Sequence, residues 1–189
     1  MDPTQQRMAD LHQQIRAAQQ ELASLLRKSA DGPFPDAVLQ GPDGDVRVSE
    51  LFGDHEDLIL SFNMGTTCAY CTLWADEANG VLDHLLRRAA FVVVSPDPPS
   101  VQQAFAAKRG WRFAMVSDGH GRFAVDEGFA QHDGARFTTL TPGFVTVRRT
   151  GDGLRRTGRS FYGPGDPYCS VYHFFDLLED GPGDWQPVL

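Results

Sequence analysis

Apolar positions recur along this chain with two periods, and the change of period divides it. Between Thr4 and Lys28, the residues Met8, Leu11, Ile15, Ala18, Leu22 and Leu25 fall on the a and d positions of successive heptads, with no Gly or Pro among them. That spacing predicts one amphipathic helix. Its outer face is mostly Gln and Arg, which suits either packing on its own domain or pairing with a second copy as a homodimer. The segment Asp31-Gly32-Pro33-Phe34-Pro35-Asp36 ends the helix, because Gly frees the backbone and Pro blocks continuation. Residues 1–30 therefore read as an N-terminal helix and residues 36–189 as one further domain.

Shorter runs follow. Residues 37–40 and 45–48, joined by Gly41-Pro42-Asp43-Gly44, predict a small hairpin, and residues 49–53 a helical turn. Residues 58–63 form a mainly apolar run, as in a central strand covered on both faces. A helix is predicted over 71–90, with Leu73, Trp74, Ala78, Val81, Leu82, Leu85 and Leu86 on its apolar face, then a buried strand at 91–94. Residues 100–109 form a second helix ended by Gly110, and 113–116 a third strand. Strands alternating with helices imply a mainly parallel sheet. After Pro142, residues 143–148 and 154–162 flank Thr150-Gly151-Asp152-Gly153 and predict an antiparallel hairpin. A last helix over 168–178 and a surface strap over 181–185 complete the chain.

Composition narrows the function. Hydrophobic residues make up 41% of the 189 and charged residues 22%, the balance of one globular unit with a filled core. Seventeen basic against twenty-five acidic side chains leave a net charge of −8, the wrong sign for a nucleic-acid binder. No run approaches the roughly 18 apolar residues of a membrane span. Residues 1–6 lack the basic and apolar regions of a secretory leader, so the expected compartment is the cytoplasm. Three cysteines cannot build a disulfide scaffold, and their value lies in reactivity, metal binding or packing.

Spacing favours reactivity. Cys68-Ala69-Tyr70-Cys71 lies between a buried strand and a helix, which puts Cys68 at a helix N-terminus, where exposed N–H groups and the helix dipole stabilise a thiolate. Cys71, one turn on, can attack a mixed disulfide at Cys68 and release a reduced product. An inert buried pair or half a zinc site are the bland alternatives, but only Cys169 and His173 remain as a spaced Cys/His set. The six histidines do not cluster, and Gly119-His120-Gly121 lacks the partners of a phosphate loop. Neither metal nor organic cofactor is expected.

On these residues the chain from about Asp36 onward resembles the thioredoxin-like superfamily. The order of hairpin, strand, cysteine helix, Val92-Val93-Val94-Ser95, Phe113-Ala114-Met115-Val116-Ser117-Asp118 and Gly143-Phe144-Val145 is most similar to the alkyl-hydroperoxide-reductase and thiol-specific-antioxidant branch. The long N-terminal helix, Gly41-Pro42-Asp43-Gly44 and Cys71-Thr72-Leu73-Trp74-Ala75-Asp76-Glu77-Ala78-Asn79-Gly80 resemble an uncharacterised bacterial family of that superfamily, one without an established substrate. The resemblance implies an α/β thioredoxin-like fold, with a central mixed sheet flanked by helices and extended by the N-terminal helix and hairpin. It implies a thiol–disulfide oxidoreductase in which Cys68 attacks and Cys71 resolves. Thr141 and Pro142, in the position of the superfamily's cis-proline, would hold substrate, and a thiol or disulfide protein or a small thiol would be the redox partner.

Departures from the family patterns keep other readings open. Gly65 stands where peroxiredoxins carry Thr or Ser, and Arg136 is the nearest Arg upstream of Pro142, which demotes an atypical thiol peroxidase to second place. Thr67 and Ala69-Tyr70 replace thioredoxin's Trp and Gly-Pro, and Phe62 replaces its buried acid. Asp76 and Glu77 are candidate proton acceptors. Thr66 and Thr67 are expected to cap the cysteine helix. Thr67, Tyr70, Tyr162 and Tyr168 are assigned to substrate contacts, and Cys169 is either a third redox residue or a packed one. A non-catalytic thioredoxin-fold binding protein is the remaining class.

Overall fold

The N-terminal heptads form α1, Pro3–Ala30, whose first turn is capped by the Asp2 carboxylate accepting from Thr4 N at 3.3 Å. This computed structural model describes residues 2–119, 121–133 and 136–189, the side chains of 132 and 136–138 apart. His120 and the side chains of His132 and Arg136 thus lie outside the described residues. Only the C-terminal turns of α1 meet the body: Ala30 is buried, and Ala23 and Leu26 are half-buried. Met8, Leu11, Ile15, Leu22 and Leu25 on the heptad face remain 39–55% exposed.

Eight strands form one sheet: β1 (Gly32–Phe34), β2 (Val38–Gly41), β3 (Gly44–Arg47), β4 (Asp57–Phe62), β5 (Ala90–Ser95), β6 (Ala114–Ser117), β9 (Gly143–Thr150) and β10 (Gly153–Phe161). Their order is β1-β10-β9-β4-β5-β6-β2-β3. Two short strands, β7 (Ala130–Asp133) and β8 (Arg136–Leu140), pair separately. Only β4–β5 and β5–β6 are parallel; the other neighbours run antiparallel. The sheet is mixed, as the family resemblance implies, rather than mainly parallel as the alternation of strands and helices alone suggests, because the hairpins at the two ends of the chain return their strands antiparallel onto a small parallel centre.

The faces of the central strands alternate as the pleat requires. Leu58, Leu60 and Phe62 of β4, with Val92 and Val94 of β5, face a core that includes Phe34, Phe129, Val145 and Val147. Phe91 and Val93 face the opposite core of Ala75, Leu82, Trp111 and Phe113. Between β4 and β5 the chain forms α2 (Ala69–Gly80) and α3 (Leu82–Leu85), and between β5 and β6 it forms α4 (Pro99–Arg109). α5 (Arg122–Asp126) and α6 (Ser170–Phe175) are short.

The helix expected over 71–90 is broken. α2 stops at Gly80, a poor helix former, and Val81 leaves helical geometry at φ −110°, ψ 11°. The break sends Leu82 into the core at 1% exposure and leaves Val81 and Leu86 49% and 40% exposed. The last helix is likewise shorter than the predicted 168–178. In the strap that follows, Trp185 packs edge-on against Phe175 at 4.9 Å between centroids.

Candidate active site

β4 delivers the chain from the sheet to a tight loop before α2. Asn63 N donates to Val94 O at 2.8 Å. Asn63 Oδ1 accepts from Gly65 N at 2.8 Å and Asp97 Oδ2 from Thr66 N at 2.7 Å, which pins the loop to the segment between β5 and α4. Gly65 adopts φ +108°, which disfavours any side chain, and a Cβ there would press on Asp97 Oδ2 at 3.0 Å. The position that carries a hydroxyl in peroxiredoxins is therefore taken here by a backbone requirement.

Cys68 is itself the N-cap of α2, with φ −90° and ψ 103°. Its Sγ accepts from Cys71 N at 3.0 Å, and its carbonyl accepts from Thr72 Oγ1 at 3.0 Å. The expectation that Thr66 or Thr67 caps the helix is corrected: the sulfur holds the cap position, Thr66 N is bound to Asp97, and Thr67 is exposed. The two cysteines divide the proton unequally. A hydrogen bond from the Cys71 side chain, helped by the Cys71 and Tyr70 amides, holds the half-buried Cys68 thiol down to about 7 against the cost of desolvation. Donating that bond, and burial, push Cys71 up, opposed by Met64 N, which donates to Cys71 Sγ at 3.4 Å.

An aromatic wall adjoins the pair. Trp74, one turn after Cys71, stacks on Tyr162 at 4.9 Å and 17°, and Tyr70 lies 6.1 Å from Trp74. Tyr162 shares a 3.2 Å hydrogen bond with Ser61, and burial pushes its phenol up to about 12. Tyr168 meets Phe144 edge-on at 4.9 Å and Tyr162 at 6.0 Å. The Asp166 carboxylate accepts from Gly163 N at 2.9 Å and Tyr168 N at 2.7 Å and so fixes this turn; burial raises its carboxyl above the ordinary range.

The structure divides the predicted substrate residues between two places. Tyr162 and Tyr168, with Trp74, line a hollow of about 520 Å³ between α2 and the sheet. Thr141 lines a separate hollow of about 20 Å³ with Met64 and Phe129, and its N–H donates to Phe129 O at 2.8 Å. The peptide bond before Pro142 is trans, since no cis bond occurs among the described residues, so the cis geometry expected there is corrected. Pro142 O instead accepts from Tyr162 N at 2.9 Å, closing the mouth of the β9–β10 hairpin.

Neither candidate proton acceptor is unengaged. Asp76 is ion-paired with Arg109 and accepts from Trp111 Nε1 at 2.7 Å. Glu77 accepts from Ser170 N, Ser170 Oγ and Val171 N at 2.9, 2.8 and 3.1 Å, tying α2 to the start of α6. Cys169 is fully buried at the N-cap of α6. No cluster of three or more metal-ligating side chains occurs among the described residues, and no described helix is long and apolar enough to cross a membrane. Sequence reading missed the loop anchor Asp97 and the turn anchor Asp166. An Asp two residues before an exposed Tyr in a Gly/Pro turn is the signal that could have pointed to the second.

A mixed sheet with a Cys-x-x-Cys motif opening the helix after its central strand defines a thioredoxin-fold protein. Within that class the chain belongs to the bacterial protein family of unknown function DUF899, whose model matches residues 9–185. Among solved structures it is similar to peroxidoxin BcpB from Mycobacterium tuberculosis, with 22% identity and TM-score 0.57 over 70% of this chain and 81% of that one. It is also similar to the bacterioferritin comigratory protein of Xanthomonas campestris, with 18% identity, TM-score 0.56, and 67% and 80% of the two chains covered. PrxQ from Xylella fastidiosa matches with 16% identity, TM-score 0.58, and 71% and 84% covered. At these identities the likeness is one of fold. No curated protein matches the chain.

Proposed function

We propose that the protein is a thiol–disulfide oxidoreductase working through Cys68 and Cys71. The observation that carries this reading is the unequal pair: one half-exposed thiol held down to about 7 beside a buried one pushed up. The Cys68 thiolate attacks a substrate disulfide, forming a mixed disulfide and expelling one substrate thiolate. Cys71 then loses its proton and attacks Cys68 Sγ, releasing the second substrate thiol and leaving a Cys68–Cys71 disulfide. The substrate gains two electrons, and a thiol protein or small thiol returns them. The reducing cytoplasm is the compartment we propose for this cycle.

The test is a glutathione or dithiothreitol redox series read by thiol alkylation and mass. A reversible two-electron transition confined to Cys68 and Cys71 is the expected result, and its midpoint gives the direction of flow. A pair that never forms a disulfide ends the reading. A peroxidase is the second reading, favoured by the same lowered thiol, which is also the form that attacks peroxide. It requires Cys68 to form a sulfenic acid faster than an ordinary thiol does.

A second copy of the chain is the proposed partner of α1, leaving residues 36–189 to carry the chemistry. The body is met by Ala23, Leu26 and Ala30, whereas Leu22 and Leu25, about 100° away around the helix, stay exposed with the rest of the heptad stripe. In a parallel pair the flanking positions bring Arg7, Gln14 and Glu21 opposite His12, Gln19 and Leu26; an antiparallel pair would set Arg7 against Lys28. Parallel pairing is the expected geometry. Sedimentation should give a dimer that Leu11→Glu dissociates, and a wild-type monomer would exclude it.

A further inference from the structure

The break after α2 has a spatial result that thiol chemistry does not use. α2 ends at Gly80, and Glu77 holds α6 at the side of the helix through three hydrogen bonds, so neither element fills the space between α2 and the sheet. A hollow of about 520 Å³ remains, within the range of about 300–1,000 Å³ typical of small-molecule sites. Ile59, Phe91 and Phe144 form its floor on β4, β5 and β9, and Ala78 of α2 and Val81 just past its end form its roof.

Shape and charge specify an occupant. The Trp74–Tyr162 stack, 17° from parallel, presents a flat wall, and Tyr168 stands at 84° to Phe144 beside it. Together they suit a flat ring system. Among the described residues, Glu77 is the one Asp, Glu, Lys, Arg or His of the lining, and its oxygens already take three donors. No Lys or Arg lines the space, so an anion would meet a carboxylate and no countercharge. We propose that this hollow is a binding site for a neutral, flat, largely apolar organic molecule, held by stacking and burial. Tyr162 and Tyr168 are also the substrate contacts expected for the thiol pair, but the assignment does not depend on the redox reading, since no lining residue has to react.

Matched fluorophores test it on the full-length protein. N-phenylnaphthylamine is neutral and flat, and anilinonaphthalenesulfonate is the same ring system carrying a sulfonate. Saturable one-to-one binding of the neutral probe is expected, with the sulfonate at least about tenfold weaker. Ala78→Trp, which fills the roof, should weaken the neutral probe by at least about tenfold while Cys68 alkylation stays at the wild-type rate, showing an intact fold. Val81→Trp at the rim should act in the same direction and serves if Ala78→Trp does not fold. Non-saturating uptake, equal affinity for the sulfonate, or wild-type binding by a folded filled variant would each overturn the proposal.

Discussion

Cys68 and Cys169 occupy the same formal position, the N-cap of a helix, with similar extended backbones at φ −90°, ψ 103° and φ −129°, ψ 95°. Their thiols move in opposite directions. Cys68 is half-buried, accepts from Cys71 N and the Cys71 side chain, and falls to about 7. Cys169 has no capping hydrogen bond to its side chain, is fully buried, and is pushed up to about 11 by desolvation, then by the charges of Glu77 and Asp166. At α6 the cap amides of Ser170 and Val171 go to Glu77 instead. A helix start therefore does not activate a thiol by position alone: the Val171 and Tyr172 amides pull Cys169 down as well, but burial and the neighbouring carboxylates outweigh them, whereas Cys68 gains the Cys71 side-chain donor and stays half-exposed.

The contrast breaks or sharpens under four measurements. The largest effect is in alkylation at pH 7: thiolate fraction weighed against the lower nucleophilicity of a low-pKa thiol puts Cys68 about a hundredfold ahead of Cys169. Mass-resolved iodoacetamide labelling reads this, and comparable rates would void the comparison. Next, Cys71→Ala should move the Cys68 midpoint upward, while Cys71→Ser, still a donor, should hold it nearer 7, read by thiolate absorbance against pH. Third, Glu77→Ala frees the Ser170 and Val171 amides and removes the neighbouring charge, so Cys169 should titrate lower. Loss of the cap should cost about 1 kcal/mol by denaturant unfolding.

The smallest effect is a pair of opposed pH slopes in the stability of the reduced protein. Cys68 ionises in the folded state below its unfolded value of about 8.5, so its contribution is complete above that value and is lost as pH falls through about 7. Cys169 and Cys71 are raised, so they keep their protons longer when folded and stability declines as pH rises above about 8.5. Cys68→Ser should flatten the first slope and Cys169→Ala reduce the second.

What the sequence made legible follows the range of each interaction. The start of the cysteine helix, the buried strands β4 and β5 and the β9–β10 hairpin rest on local patterns and appear where periodicity and turn residues put them. Gly32-Pro33-Phe34 reads as punctuation yet forms an edge strand on β10, where proline's missing N–H costs little. The break at Gly80 was hidden because apolar residues continue beyond it at helical spacing. In the site, the Cys68–Cys71 juxtaposition is a one-turn contact and hence visible. The Trp74–Tyr162 stack and the Glu77–Ser170 cap join residues some 90 apart in sequence, so only the folded chain brings them together. Phe62, in the place of a buried acid, stacks on Phe129 at 4.2 Å, which shows why a carboxylate has no room there.

Side chains from residue 3 to residue 22 of α1, Asp10 apart, are exposed to solvent. A helix of that length without tertiary support is marginal in water. Under the dimerisation proposed above, its amides would report the cover of the stripe by a second copy, on a scale set by protein concentration. In deuterium, protection should climb steeply from the free end of the helix toward Ala30, and dilution should erase the distal part of that gradient first. The N-terminal third of the molecule's helical content would then be a property of the solution as much as of the chain.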